Sequence, residues 1–110
     1  MEQDIKKLAD LCIEQGKAEA LGDYKRNNML YLKIEKIYVA LKASQRMNEL
    51  VELYTHENPY VRLTAATYTL TICPQQAEKV LKDLMPIKKS LVGFTAEMTL
   101  QEWRKGNLKL

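Results

Sequence analysis

The chain has 110 residues, 46% hydrophobic and 28% charged, with only four glycines and three prolines. That composition is enough for one hydrophobic core, argues against long disordered tails, and, being rich in Leu, Lys, Glu and Ala, favours helix over sheet. The net charge of +3 is too small to demand a nucleic-acid partner, although the excess is uneven: residues 58–110 carry eight basic and four acidic side chains, against nine and ten in residues 1–57.

The first helix is expected from about Gln3 to Leu21. Ile5, Leu8, Cys12 and Ile13 fall on one side at helical spacing, joined by Ala9, Gly16 and Ala20, small residues that let a second helix approach closely. Gly22 suits the stop of this helix and Asp23 the N-cap of the next. The second helix, about Tyr24 to Ala43, has a stripe of Leu30, Ile34, Ile37 and Leu41. Leu32 and Val39 lie on its far side, which implies contact with two neighbours, and Lys33 and Lys36 mark its wet face. Tyr24, Tyr31 and Tyr38 recur every seven residues, either as rings capping the core edge or as an aromatic surface for a partner.

A third, shorter helix follows Ser44 and carries Met47, Leu50, Val51 and Tyr54. The break Thr55–Pro59 supplies Asn58 as N-cap and Pro59 at the first helical position, where a missing N–H is harmless. The fourth helix, about Pro59 to Cys73, is apolar on two sides. Val61, Ala65, Tyr68 and Ile72 form one stripe and Leu63, Ala66, Leu70 and Cys73 another, so it is expected at the centre of the domain. Its remaining stripe is Thr64, Thr67 and Thr71. Threonine is a mediocre helix former, so these residues either line a shallow groove or are tolerated at partly buried positions. A fifth helix runs from about Pro74 to Met85 on Ala77, Val80, Leu81 and Leu84. Residues 87–93 read as a loop. A last helix from Thr95 or Ala96 to Lys105 turns Met98 and Trp103 inward, with Gly106 as its cap.

Leu50–Tyr54, the break, and then Asn58-Pro59-Tyr60-Val61-Arg62-Leu63-Thr64-Ala65-Ala66 resemble a HEAT-type repeat, a unit of about residues 46–73 in which alanines permit close stacking. Arg62 is placed to reach turn carbonyls or a nearby acid. Over roughly residues 20–107 the chain is similar to a small bacterial family, domain of unknown function 2019. The similarity rests on His56, Asn58, Val61–Leu63, Ala65, Ala66, Leu70, Pro74, Ala77 and Leu81, then on Gly93, Ala96, Met98–Leu100 and Trp103, with Glu97 a loose fit. The resemblance implies a single all-α domain over 1–110: a short α-α superhelix of about five to six helices in HEAT-like stacked pairs. It also implies kinship with immunity proteins that neutralise toxins passed between competing bacteria.

No catalytic constellation is visible. His56, the only histidine, sits beside a proline turn and reads as a capping residue. Cys12 and Cys73 lie in apolar patterns, without the spacing of a zinc site. They read as small buried hydrophobes of a reducing compartment, although in an exported protein two cysteines can pair. No Gly-rich phosphate loop occurs. Arg62, Lys79, Lys82, Lys88, Lys89, Arg104 and Lys105 are spread over several elements rather than clustered. The polar opening Met1–Lys7 has no signal-peptide core, and no apolar run approaches the ~20 residues of a membrane span.

The expectation is therefore a cytoplasmic, non-enzymatic protein-binding module with no cofactor and no metal, most specifically an immunity protein against a bacterial toxin domain. A homodimeric scaffold and a nucleic-acid-binding repeat protein are the alternatives. In HEAT-like pairs the second helix lines the concave side. By that analogy the partner surface is expected at Lys33, Lys36, Thr64, Thr67 and Thr71.

Overall fold

The structure, a computed structural model, describes residues 2–110; Met1, counted in the expected domain, lies outside them. Five α-helices and one 3-10 helix make up the described residues, with no strand among them. The helices stack as three pairs: α1 (Glu2–Ala20) with α2 (Tyr24–Ala43), the 3-10 helix (Met47–Thr55) with α3 (Pro59–Tyr68), and α4 (Pro74–Leu84) with α5 (Val92–Arg104). This is the expected short α-α superhelix.

The turns follow from local chemistry. Helix α1 closes on Gly22 at φ +69, with Asp23 N–H reaching Ala18 O at 2.8 Å and Gly22 N–H reaching Glu19 O at 3.0 Å, the double closure that glycine permits. The same pattern ends α2, where Arg46 N–H bonds Leu41 O at 2.8 Å, but the left-handed position is held by Gln45 at φ 59. Arg46 then fastens the next helix to α1 through Asp4 Oδ2 at 3.1 Å. Asn58 caps α3 by accepting from Tyr60 N–H at 2.8 Å, and His56 Nδ1 accepts from Asn58 N–H at 3.0 Å, so the histidine is a turn residue as its setting implied.

The third helix is 3-10 rather than α. Its buried residues are Met47, Leu50 and Leu53, three apart. Only a helix with three residues per turn keeps such a series in one line.

The largest departure concerns α3, which ends at Tyr68 and not at Cys73. Thr69 is fully buried and caps the end, its hydroxyl donating to Ala65 O at 2.8 Å. Cys73, at φ −145 and ψ 69 ahead of Pro74, does not continue the helix. Ile72 therefore leaves the expected stripe and is 47% exposed. At the other end of the chain α5 begins at Val92, so part of the expected loop is helical. Gly93 is buried in that first turn because it lies against backbone: a Cβ there would stand 2.2 Å from Ile87 O and 2.6 Å from Met85 O. Met98 faces outward, while Ala96 and Leu100 take the inward positions.

Two core clusters result. One joins α1, α2, the 3-10 helix and Val61 and Ala65 of α3; the other joins Ala66 and Leu70 with α4 and α5. As expected, α3 is buried on two sides and stands between them. Cys12 is sealed in the first cluster, where burial pushes its thiol up to about 11, with the Thr64 hydroxyl pulling the other way. Both cysteines are free thiols, and Cys73 Sγ lies 3.2 Å from Tyr54 Oη.

Candidate functional site: a tyrosine and threonine groove

The second helices of the three pairs, α2, α3 and α5, share one concave side, where with α1 they bound a groove of about 350 Å³. Helical spacing on α3 puts Tyr60, Thr64, Thr67 and Tyr68 on the groove face. Tyr31 and Tyr38 come from α2, seven residues apart, and Thr95 and Thr99 from α5, four apart. Each side chain carries a hydroxyl over an apolar body, so the wall is greasy and hydrogen-bonding at once.

The rings are fixed in place. Tyr38 stacks on Tyr68 with centroids 4.1 Å apart and planes 12° from parallel, which ties α2 to α3. Tyr60 lies against Gly16 of α1, where a Cβ would stand 2.6 Å from its Cδ2, and its hydroxyl donates to Glu19 Oε1. Burial and the adjacent Glu19 carboxylate push the Tyr60 phenol up to about 12. Burial, with Tyr31 and Glu35 nearby, also raises that of Tyr68. These phenols hold their protons and act as hydrogen-bond partners, not as bases. The groove lining carries two carboxylates, Glu19 and Glu35, against one cation, Lys109, so the concave side of this net-basic chain is mildly acidic.

The five residues expected at a partner surface fall in three places. Thr64 and Thr67 line the groove. Thr71 does not, because α3 has already ended; it is exposed beside Ile72 in a separate depression with Tyr38, Lys42 and Met47. Lys33 and Lys36 lie on the outer face of α2 with Met29, Leu32 and Val39. Helix α2 lines the groove through Tyr31, Ile34 and Tyr38, and the two lysines lie on its other face. Leu32 and Val39 are 59% and 56% exposed, so among the described residues the neighbour expected on that face of α2 is absent. The series Tyr24, Tyr31, Tyr38 is not a continuous surface either, since Tyr24 is 76% exposed and Tyr38 only 9%.

Arg62 does not line the groove, and its Nε is buried with no hydrogen-bond partner among the described residues, so that atom does not make the contact expected with turn carbonyls or an acid. Among the described residues no three His, Cys, Asp or Glu side chains converge as a metal site would require. No helix of the described residues is long and apolar enough to cross a membrane.

Residues 2–103 match the family model described as domain of unknown function (DUF2019), and the chain belongs to that family. Its structure is similar to the crystal structure of the protein RPA1889 from Rhodopseudomonas palustris CGA009. The TM-score is 0.91 at 27% identity, over 99% of this chain and 92% of that one. No curated protein matches the chain.

Proposed function

We propose that the chain is a non-enzymatic protein-binding module, cytoplasmic, whose concave groove grips a segment of a protein partner, and that it serves as an immunity protein against a bacterial toxin domain. The observation that carries the binding reading is the wall of four tyrosines and four threonines on α2, α3 and α5. Tyrosine offers large contact area and a hydroxyl at low entropic cost, which is why it is enriched where proteins meet. The chain's nucleophiles and bases are engaged elsewhere: Cys12 in the core, Cys73 against Tyr54, His56 in its turn. The acidic lining suits a basic surface, such as a nuclease toxin presents to its substrate, and disfavours nucleic acid itself. This removes the awkwardness of a net-basic inhibitor, because the charge that matters is local.

The test is co-purification and calorimetric titration with the toxin-like product of an adjacent gene, followed by Thr64→Arg in the groove. The expected result is a complex weakened at least about 100-fold by the substitution, as for a central contact of an interface, with the helical circular dichroism unchanged. A complex indifferent to Thr64→Arg would overturn the assignment of the groove.

A further inference from the structure

Part of the groove wall is formed by the residues that follow α5. Gly106, at φ +77, turns the backbone after α5, and Asn107 fixes the turn through its N–H to Glu102 O at 2.9 Å and its Nδ2 to Glu102 Oε2 at 3.0 Å. The residues that follow line the groove beside the tyrosines and threonines. Leu108 and Leu110 are half-buried and pack against the second core cluster, while Lys109 between them is exposed. Lys42 of α2 completes the attachment: its Nζ donates to Leu110 O at 2.8 Å and sits 5.8 Å from the centroid of the Tyr38 ring. The segment therefore straps the end of α5 to α2 and leaves less of the concave wall open.

We infer that residues 107–110 are a resident self-ligand, which a partner displaces with a segment of the same chemistry: extended, with two aliphatic side chains two residues apart around a cation. Alternate residues of an extended chain share a face, which fits Leu108 and Leu110 as the anchoring pair. The carboxylates Glu19 and Glu35 select a basic rather than an acidic segment. Threonine hydroxyls of α5 can donate to a visiting backbone or accept from it, and that of Thr67, which donates to Leu63 O at 2.8 Å, can still accept. A segment held by two half-buried leucines and one lysine is a weak competitor. It keeps the apolar wall covered and yields to a better-fitting segment, lowering apparent affinity by the fraction of time the groove is closed.

This inference rests on the groove being the partner site, but its test does not need the partner. The probe is the peptide Gly-Asn-Leu-Lys-Leu with an amidated end. The readout is the methyl signals of Thr64, Thr67, Thr95 and Thr99 in the full chain. Substituting Leu108→Asp and Leu110→Asp together is expected to shift these signals, and the peptide to reverse the shifts with an affinity at least about tenfold above that for the unaltered chain. Lys42→Ala, a change at an exposed residue, gives an intermediate affinity and serves if the double variant does not fold. Helical variants whose threonine signals ignore the peptide at about 1 mM, or bind it no better than the unaltered chain, would overturn the inference. If the peptide titrates as expected while a partner complex is indifferent to Thr64→Arg, the strap stands and the groove is not the partner site. The reverse pattern leaves the groove as the partner site and removes the strap.

Discussion

Single positions show why identical residue types are not interchangeable here. Gly93 faces two backbone carbonyl oxygens that cannot move independently of the chain. Gly93→Ala is expected to cost about 3 kcal/mol, at the upper end for overpacking, read as a lower urea midpoint at unchanged m-value. Gly16 faces only a tyrosine ring, and in the middle of α1 an alanine would gain about 1 kcal/mol of helix propensity. The ring must shift from its Cγ outward, so Gly16→Ala is expected to cost about 1 kcal/mol net, overpacking outweighing the gain in propensity. It should also displace Tyr60 from Glu19, visible as a moved tyrosine ring resonance. Gln45 is the opposite case, a side chain where glycine belongs. Gln45→Gly is expected to stabilise by up to about 1 kcal/mol in the same urea experiment, since the left-handed conformation costs a non-glycine residue about that much.

The helices differ in how much of them the sequence discloses. Capping was readable: Asp23, Asn58 and Pro59 stand where their chemistry puts them, and Asn58→Ala should cost about 1 kcal/mol by stranding the Tyr60 and Val61 amides. The open face of α3 was readable in part: Thr64 and Thr67 of the expected threonine stripe line the groove, Thr71 does not, and Tyr60 and Tyr68 join them. Its length was not. Ile72 and Cys73 continue the apolar stripes, so periodicity alone extends the helix through them, and only the buried hydroxyl of Thr69 and the approach of Pro74 end it. The 3-10 winding was hidden because Val51 and Tyr54 give a tolerable α pattern with Met47 and Leu50. Leu53, the residue that makes the period three, is the one such a pattern passes over. On α2 the choice between Ile37 and Tyr38 for the core is one step of about 100°. Tyrosine's polarity favours the wrong answer, whereas stacking on Tyr68 decides it. The strap was invisible for another reason: two leucines after a capping glycine look like any polar-flanked end until Lys42 is seen to hold them.

At the scale of the whole molecule, buried protons link folding to alkalinity. The Cys12 thiol is raised from an ordinary 9.0 to about 11, and the phenols of Tyr54 and Tyr60 from 10.0 to about 12. Below pH 9 these groups are protonated in folded and unfolded chains alike, and their contribution is fully present. As pH rises past 9 the unfolded chain releases its protons first, so stability falls, and the loss ends only above the folded values. Urea midpoints taken from pH 8 to 11 should decline, and Cys12→Ala should delay the onset of decline towards pH 10, where the tyrosines begin. Adjacent residues on α3 add a consequence of a different kind. Ala65 belongs to the first cluster and Ala66 to the second. The helix is a party wall, and neither side can be demolished without taking down the support of the other. Arrays of helical pairs often melt piecemeal from their ends. This chain should instead unfold all at once, with calorimetric and van't Hoff enthalpies that coincide.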